Sequence, residues 1–240
     1  MAKTIRLDKL LGNMGLGTRK EIKTWVKKGN VTVNDVVQKD SSQHIDPHKD
    51  IVKVNGEILE YREYIYILMN KPQGVLSASY DPGMKTVVDL LAEAYQIYEP
   101  FPIGRLDKDT EGLLLISNDG KLAHELLSPK KHIPKTYYAK IEGKVDSEDI
   151  KSFKEGVVLE DGYKTLPGEL SILKSEDISE IELTIYEGKY HQVKRMFDAV
   201  GKKVTYLKRI AMGSLELDQG LALGDYRELT PEELEKFKRR

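Results

Sequence analysis

The 240-residue sequence contains no cysteine. That absence excludes a disulfide scaffold, thiolate metal sites and a cysteine nucleophile, and it fits a reducing compartment. A chain of this length buries a sufficient core without metals or crosslinks. No apolar run is long enough to span a bilayer, and Met1-Ala2-Lys3-Thr4 leads into a charged amphipathic stretch rather than a secretory h-region. These features predict a cytoplasmic protein with no membrane association. Neither G-x-x-x-x-G-K-[ST] nor G-x-G-x-x-G occurs, so nucleotide hydrolysis and dinucleotide binding have no support. His124, His132 and His191 are too scattered to suggest a metal site. There is no internal repeat or low-complexity segment, and the lack of an obvious coiled coil favours a monomer.

A strong excess of one charge is also missing. The net charge is −1, which by itself identifies no partner. The distribution says more. Residues 1–30 hold eight basic side chains against Asp8 and Glu21 alone, and residues 189–209 hold seven against Asp198 alone. The acidic surplus lies elsewhere, as in Glu142–Glu160 and near the C-terminus. Two basic zones on a near-neutral chain point to a polyanion. Two solvated helix faces would leave the same pattern.

Residues 4–28 read as two helices. Ile5, Leu7, Leu10, Leu11 and Met14 recur at helical spacing, Gly15 and Gly17 interrupt, and Thr18 can cap a second helix carrying Ile22, Trp25 and Val26. Arg19, Lys23 and Lys27 are four apart and share a face, as do Arg6, Lys9 and Asn13. Val31–Val33, Val36-Val37 and Ile51–Val54 read as short strands joined by turns at Asn34-Asp35, Asp46-Pro47 and Asn55-Gly56. After a linker at Glu60–Glu63, the spacing predicts strands at Tyr64–Met69, Gly112–Ser117, Tyr137–Ile141, Ile178–Tyr186 and Arg227–Leu229. It predicts helices at Thr86–Glu93, Gly120–Ser128 and His191–Val200, and one started by Thr230-Pro231-Glu232-Glu233. Strands and helices do not alternate regularly, which favours an α+β fold with a largely antiparallel sheet.

Three runs carry candidate chemistry. Gly104-Arg105-Leu106-Asp107-Lys108-Asp109-Thr110-Glu111-Gly112 sets charged residues between Phe101-Pro102 and a buried-looking strand. A loop there can hold a carboxylate at the mouth of a core. Asp107-x-Asp109-x-Glu111-Gly112 imitates a calcium loop, but the twelfth position is Asn118 and the approach is broken by Pro100 and Pro102. On local pattern alone, Asp107 reads equally as a turn residue or a catalytic carboxylate. Glu187-Gly188-Lys189-Tyr190-His191-Gln192-Val193-Lys194-Arg195-Met196 joins a strand to a helix and could meet phosphate or a base edge. Lys135-Thr136-Tyr137-Tyr138 places a tyrosine on a strand, in the core or as a stacking platform.

In combination these runs resemble a known family. Arg6-Leu-Asp-Lys-Leu-Leu11 and Gly29-Asn-Val-Thr-Val-Asn34 resemble an S4 RNA-binding domain. Met69-Asn-Lys-Pro-Gln-Gly74, Gly104-Arg-Leu-Asp107, Lys135-Thr-Tyr137, Glu187–Phe197 and Gly224-Asp-Tyr-Arg-Glu-Leu-Thr230 resemble the catalytic domain of pseudouridine synthases. The match is to the bacterial ribosomal small subunit pseudouridine synthase A family. The expected domains are therefore 1–60, S4-like, and 61–240, catalytic, the latter built on a central mixed, mostly antiparallel sheet.

The resemblance implies isomerisation of a uridine to pseudouridine, without cofactor or metal, in ribosomal RNA or a small-subunit assembly intermediate. Asp107 matches the catalytic aspartate, and Lys194 the basic residue that pairs with it, where many relatives carry Arg. Tyr137 matches the tyrosine that packs on the target base. Arg105 matches an arginine that fills the space left by an extruded nucleotide. Arg6, Lys9, Arg19, Lys20, Lys23 and Lys27 are the expected RNA contacts of the first domain. Lys71, His191, Gln192 and Arg195 are those of the second. A large-subunit synthase and a non-catalytic RNA-binding or ribosome-assembly protein are the alternatives.

Overall fold

Leu7, Leu10 and Leu11 are fully buried and lie at helical spacing, which turns one face of a short helix inward. In the computed structural model, which describes residues 4–238, they form α1 (Leu7–Asn13) behind a two-residue strand β1 (Ile5–Arg6). Lys3 lies outside the described residues. Thr18 starts α2 (Arg19–Lys27) with a reciprocal cap: its backbone N–H donates to Glu21 at 2.7 Å, and its hydroxyl accepts from the Glu21 N–H. Strands β2 (Val31–Val33), β3 (Val36–Val37), β4 (His44–Ile45), β5 (Val52–Val54) and β6 (Glu57–Ile58) follow. They form an antiparallel sheet of order β3-β2-β5-β6, while β4 pairs with β1. Asn34 and Asp35 both have positive φ, as do Asn55 and Gly56, the geometry of two-residue hairpin turns. Val26, Val31, Ile45 and Val52 complete the core with the α1 leucines. This compact unit runs to Ile65 and takes in Glu93–Glu99, which holds α3 (Glu93–Gln96).

The second unit comprises Tyr66–Ala92 and the chain from Pro100 onward. Its strands begin with β7 (Tyr66–Lys71), β8 (Phe101–Ile103) and β9 (Glu111–Ser117), followed by α4 (Gly120–Leu127). Then come β10 (Lys135–Glu142), α5 (Ser147–Glu155), β11 (Glu169–Lys174), β12 (Ile178–Ile185) and α6 (Gln192–Ala199). The unit closes with β13 (Lys203–Met212), β14 (Leu215–Glu216), β15 (Tyr226–Glu228) and α7 (Pro231–Lys238). Nine strands form one sheet, with the main order β11-β12-β10-β13-β9-β7-β15. Among the described residues every strand pairing in it is antiparallel except β9 with β13. The unit is α+β with a mixed, mostly antiparallel sheet. All seven residues of β9 are buried, as its apolar run requires at the sheet centre. Leu68, Leu113, Leu115, Leu122, Met212 and Phe237 form part of one cluster that packs α4 and α7 on the sheet.

Some expectations need correction. Ile5 and Arg6 are paired with His44 and Ile45 rather than helical. Thr86–Glu93 is not a helix. The Asp89 carboxylate accepts from both the backbone N–H and the hydroxyl of Thr86, forming a tight turn, and Leu91 is extended. Only Val88–Leu90 makes a short 3₁₀ turn. Strand β13, ten residues long, runs through the stretch read as a basic zone.

The parallel junction sets Gly112 opposite Arg209. Gly112 has φ +100°, and a Cβ there would lie 2.2 Å from the Arg209 carbonyl oxygen. Gly112→Ala therefore combines left-handed strain with a backbone clash. The expected loss is about 3 kcal/mol or more, measured by urea denaturation. An unchanged midpoint would mean that β9 and β13 pack more loosely than described.

Candidate active site

A cavity of about 880 Å³ lies in the second unit. The loop Gly104–Thr110 forms one wall, the approach to α6 another, and side chains of β10 and β13 the floor.

The first wall is held from beneath. Lys71 ends β7 and is fully buried. Its ammonium donates to three backbone carbonyls: Pro72 at 3.0 Å, Asp107 at 3.1 Å and Thr110 at 3.0 Å. Burial lowers its pKa to about 8, against the opposing pull of Asp107, Asp109 and Glu111. At neutral pH it therefore stays mainly charged, and its three protons are matched by three acceptors. Ser77 adds a reciprocal pair, donating to the Leu106 carbonyl at 2.8 Å and accepting from the Leu106 N–H at 3.1 Å. These bonds fix the loop backbone and leave the Asp107 side chain partly exposed in the cavity wall.

The second wall supplies the partners of that carboxylate. Lys194, on the first turn of α6, places its ammonium 3.3 Å from Asp107 and 2.6 Å from Asp109. Burial opposes the lysine's charge, but the Asp109 hydrogen bond and the charges of Asp107 and Asp109 outweigh it and raise its pKa. The same hydrogen bond lowers that of Asp109. His191 precedes α6 in a left-handed conformation, φ +48°. Its Nε2 lies 3.6 Å from Asp107, and its ring stacks on Tyr190 at 3.8 Å. Glu187 organises this wall by accepting from the Tyr163 hydroxyl at 2.6 Å, the Leu166 N–H at 2.9 Å and the Gln192 amide at 2.7 Å.

The floor depends on an irregularity. Tyr137 of β10 is buried and lies opposite Arg209 of β13, while Lys135 lies opposite Met212. Strict alternation would put residues 209 and 212 on opposite faces of a strand. A bulge at this point leaves Ile210 without a counterpart and returns Met212 to the side of Arg209. Lys135, Tyr137, Arg209 and Met212 all line the cavity as a result.

The fold thus brings together Asp107, Lys194, His191 and Tyr137, with Arg105 exposed in the cavity wall. Other expectations change. Lys71 is no RNA contact, because it has no exposed surface and no spare donor. Gln192 is buried and spends its amide inside the wall, accepting from the Lys189 N–H and donating to Glu187. Arg195 is paired with Asp161 at 2.6 Å. The basic stretch 189–209 is no single surface either, since Lys202 pairs with Asp149 at 2.7 Å and Arg209 is buried. In the first unit Arg6, Lys9, Arg19, Lys20, Lys23 and Lys27 are all exposed, with Arg6 bound to Asp8 at 2.6 Å. Tyr190, three-quarters exposed beside His191, was missed. An aromatic between Lys189 and His191 in a basic run was the available signal. Lys135 and Arg209 were also missed as cavity residues, and no sequence signal marks a strand arginine as buried.

The RNA pseudouridylate synthase family matches residues 65–199, more than half of the chain and most of this cavity. The chain belongs to that family. It is an RNA pseudouridine synthase with an N-terminal S4 domain, matched over residues 5–52. The RNA pseudouridine synthase YtzG of Bacillus subtilis is 56% identical, over 96% of this chain and 97% of its own. The ribosomal large subunit pseudouridine synthase B of the same organism is 41% identical, over 97% and 95%. The ribosomal small subunit pseudouridine synthase A of Vibrio vulnificus is 40% identical, over 96% and 98%. A crystal structure of a pseudouridylate synthase superposes with a TM-score of 0.67 at 34% identity, over 97% of this chain and 99% of the other.

If Lys71 fixes the Asp107 loop, Lys71→Met should cost about 3 kcal/mol of stability through its unsatisfied carbonyls. It should also lower kcat by up to about a hundredfold through misplacement of the loop, with RNA affinity unchanged. A loss confined to RNA affinity would restore the surface-contact reading.

Proposed function

We propose that the protein converts a uridine of ribosomal RNA to pseudouridine with the Asp107 carboxylate as the reacting group. The observation that carries this reading is the placement of Asp107 in the cavity wall, 3.3 Å from the Lys194 ammonium and 3.6 Å from the His191 imidazole. The reaction breaks N1–C1′, turns the base and bonds C5 to the same carbon. Every atom is retained, so the chemistry calls for neither ATP nor an electron carrier. A carboxylate beside a cation can attack as a nucleophile or remove a proton. Lys194 holds it in place, although as a point charge it lacks the two-pronged geometry of arginine. Tyr137 packs on the base, and Arg105 occupies the gap left in the RNA when the nucleotide leaves its stack.

The exposed cations of the first unit bind backbone phosphates. Arg19, Lys23 and Lys27 form one row on α2, joined by Lys9 and Lys20. Arg6 contributes less, because Asp8 already holds its guanidinium. We assign the target to the small subunit on the motifs Asn70–Gly74 and Gly188–Lys194. The near-equal identity to relatives named for the two subunits makes the large subunit the competing target.

Asp107→Asn keeps the side-chain shape and removes the charge. Pseudouridine formation on ribosomal RNA transcripts should fall by about a thousandfold or more; residual activity near that of the parent enzyme rejects Asp107. Mapping pseudouridines in the 16S and 23S RNA of a deletion strain identifies the subunit. A site lost from 23S RNA alone overturns the small-subunit assignment. Affinity for RNA should fall with salt at a log–log slope near −3.5 if about five cations meet phosphates of a single strand. Replacing Arg19, Lys23 and Lys27 with alanine should flatten that slope by about two units. An unchanged slope places the RNA contacts elsewhere.

A further inference from the structure

Two cations at the cavity floor have unused hydrogen-bonding capacity. Arg209 is only 2% exposed. Its Nε donates to the Leu113 carbonyl at 2.8 Å, while Nη2 is buried without a partner among the described residues. An unpaired buried donor on a charged group is costly and calls for an explanation. Lys135 projects from the neighbouring strand onto the same face, and among the described residues its ammonium gives one hydrogen bond, to the Ile133 carbonyl at 3.0 Å. An ammonium carries three donors, so capacity remains. Glu187, the carboxylate that acts on Lys135, is already engaged by Tyr163, Leu166 and Gln192.

The position of the pair selects its ligand. Arg105, Lys108 and Lys189 line the same cavity and are exposed, so they suit the phosphates that stay with the RNA strand. Lys135 and Arg209 lie beside Tyr137 on the sheet and line the cavity floor, away from the exposed cations, where an extruded base would sit. We propose that Lys135 and Arg209 form a subsite for the carbonyl oxygens of the target uracil, holding the negative charge that the base carries between bond breaking and bond making.

This inference rests on the function proposed above and deepens it. When N1–C1′ breaks, its electron pair stays on the base and spreads over N1, O2 and O4. The sugar carbon is meanwhile covered by Asp107 if that carboxylate bonds C1′. C5 then attacks C1′ with that pair, and the Asp107–C1′ bond breaks and returns its electrons to the carboxylate; C5 loses its proton and N1 gains one, so nothing is added overall. If Asp107 instead adds to C6, the displaced pair runs to O4, and after the base has turned and C5 has bonded C1′ the Asp107–C6 bond breaks and frees the carboxylate. Charge rises at the base carbonyls by either route, and donors fixed where charge develops are the strongest catalytic device available to a protein.

The subsite depends on pH. Burial, with Arg209, lowers the Lys135 pKa to about 8, against Glu187. Tyr137 on its own strand, and Asp107, His132, Tyr163, Tyr186, Tyr190 and His191 around the cavity, complete the ionisable surroundings together with Glu187 and the exposed cations already named. The charged form is present below that pH and is lost above it. Single-turnover rates on a ribosomal RNA transcript carrying the mapped uridine provide the test. Lys135→Met should lower kcat about a hundredfold, with KM changed by less than about threefold. Wild-type kcat should decline above about pH 8, and Lys135→Arg, which does not titrate in this range, should retain activity and leave only the shallower decline that Lys71 contributes. Arg209→Lys should lower kcat in the same way, with thermal melting used to check its folding because Arg209 also holds Leu113. If Arg209→Lys unfolds, the Lys135 variants decide. A Lys135→Met enzyme with near-parental kcat overturns the subsite. So does a loss confined to KM, which marks a phosphate contact, or an alkaline decline as steep in Lys135→Arg as in the parent enzyme. Asp107→Asn run in parallel separates the two readings: an inactive Asp107→Asn beside an active Lys135→Met removes the subsite alone.

Discussion

A single buried ammonium holds the Asp107 wall of the cavity in place. Lys71 ends a sheet strand and gathers the carbonyls of Pro72, Asp107 and Thr110 around its three protons. Taking a charge out of water is expensive, and only full coordination offsets it. The loop must therefore keep one backbone path to satisfy the lysine. That path presents the Asp107 side chain in the cavity wall, where Lys194 and His191 meet it.

The opposite wall is built by the same kind of bond with the signs reversed. Glu187 is a carboxylate that collects donors, one hydroxyl, one backbone N–H and one amide. Gln192 carries the constraint onward by accepting from the Lys189 N–H. The stretch between strand and helix is thereby tied at both ends, with His191 held in a left-handed conformation between them. A cation anchors the wall that bears the anion, and an anion anchors the wall that bears the cation. Both anchors are engaged by their own partners, so Asp107, Lys194 and His191 keep exposed surface.

Local signals made part of this fold legible. Thr18 with Glu21 marks a helix start through two bonds within four residues, and Asn34-Asp35 and Asn55-Gly56 mark turns through their tolerance of positive φ. The apolar run of β9 shows its burial directly. Strand β13 did not show itself, because Lys203, Lys208 and Arg209 give it the look of a solvated stretch. The sheet around it decides that Arg209 is buried. Lys71 and Gln192 were misplaced at the RNA surface for the same reason, as nothing near them in sequence supplies the carbonyls and carboxylate that hold them. Asp107, Tyr137 and Lys194 stood out by their motifs, but their assembly depends on contacts across 30 to 87 positions that only the fold supplies.

The bulge in β13 gives this site an arithmetic of its own. With Ile210 left over, Arg209 and Met212 share a face although an odd number of steps separates them. Adding or removing a residue elsewhere in the paired strand would turn everything on one side of the change upside down, whereas removing Ile210 would leave Arg209 and Met212 two steps apart and still on one face. Chain length at this one point is thus freer to drift among homologous enzymes than length anywhere else in the paired strand.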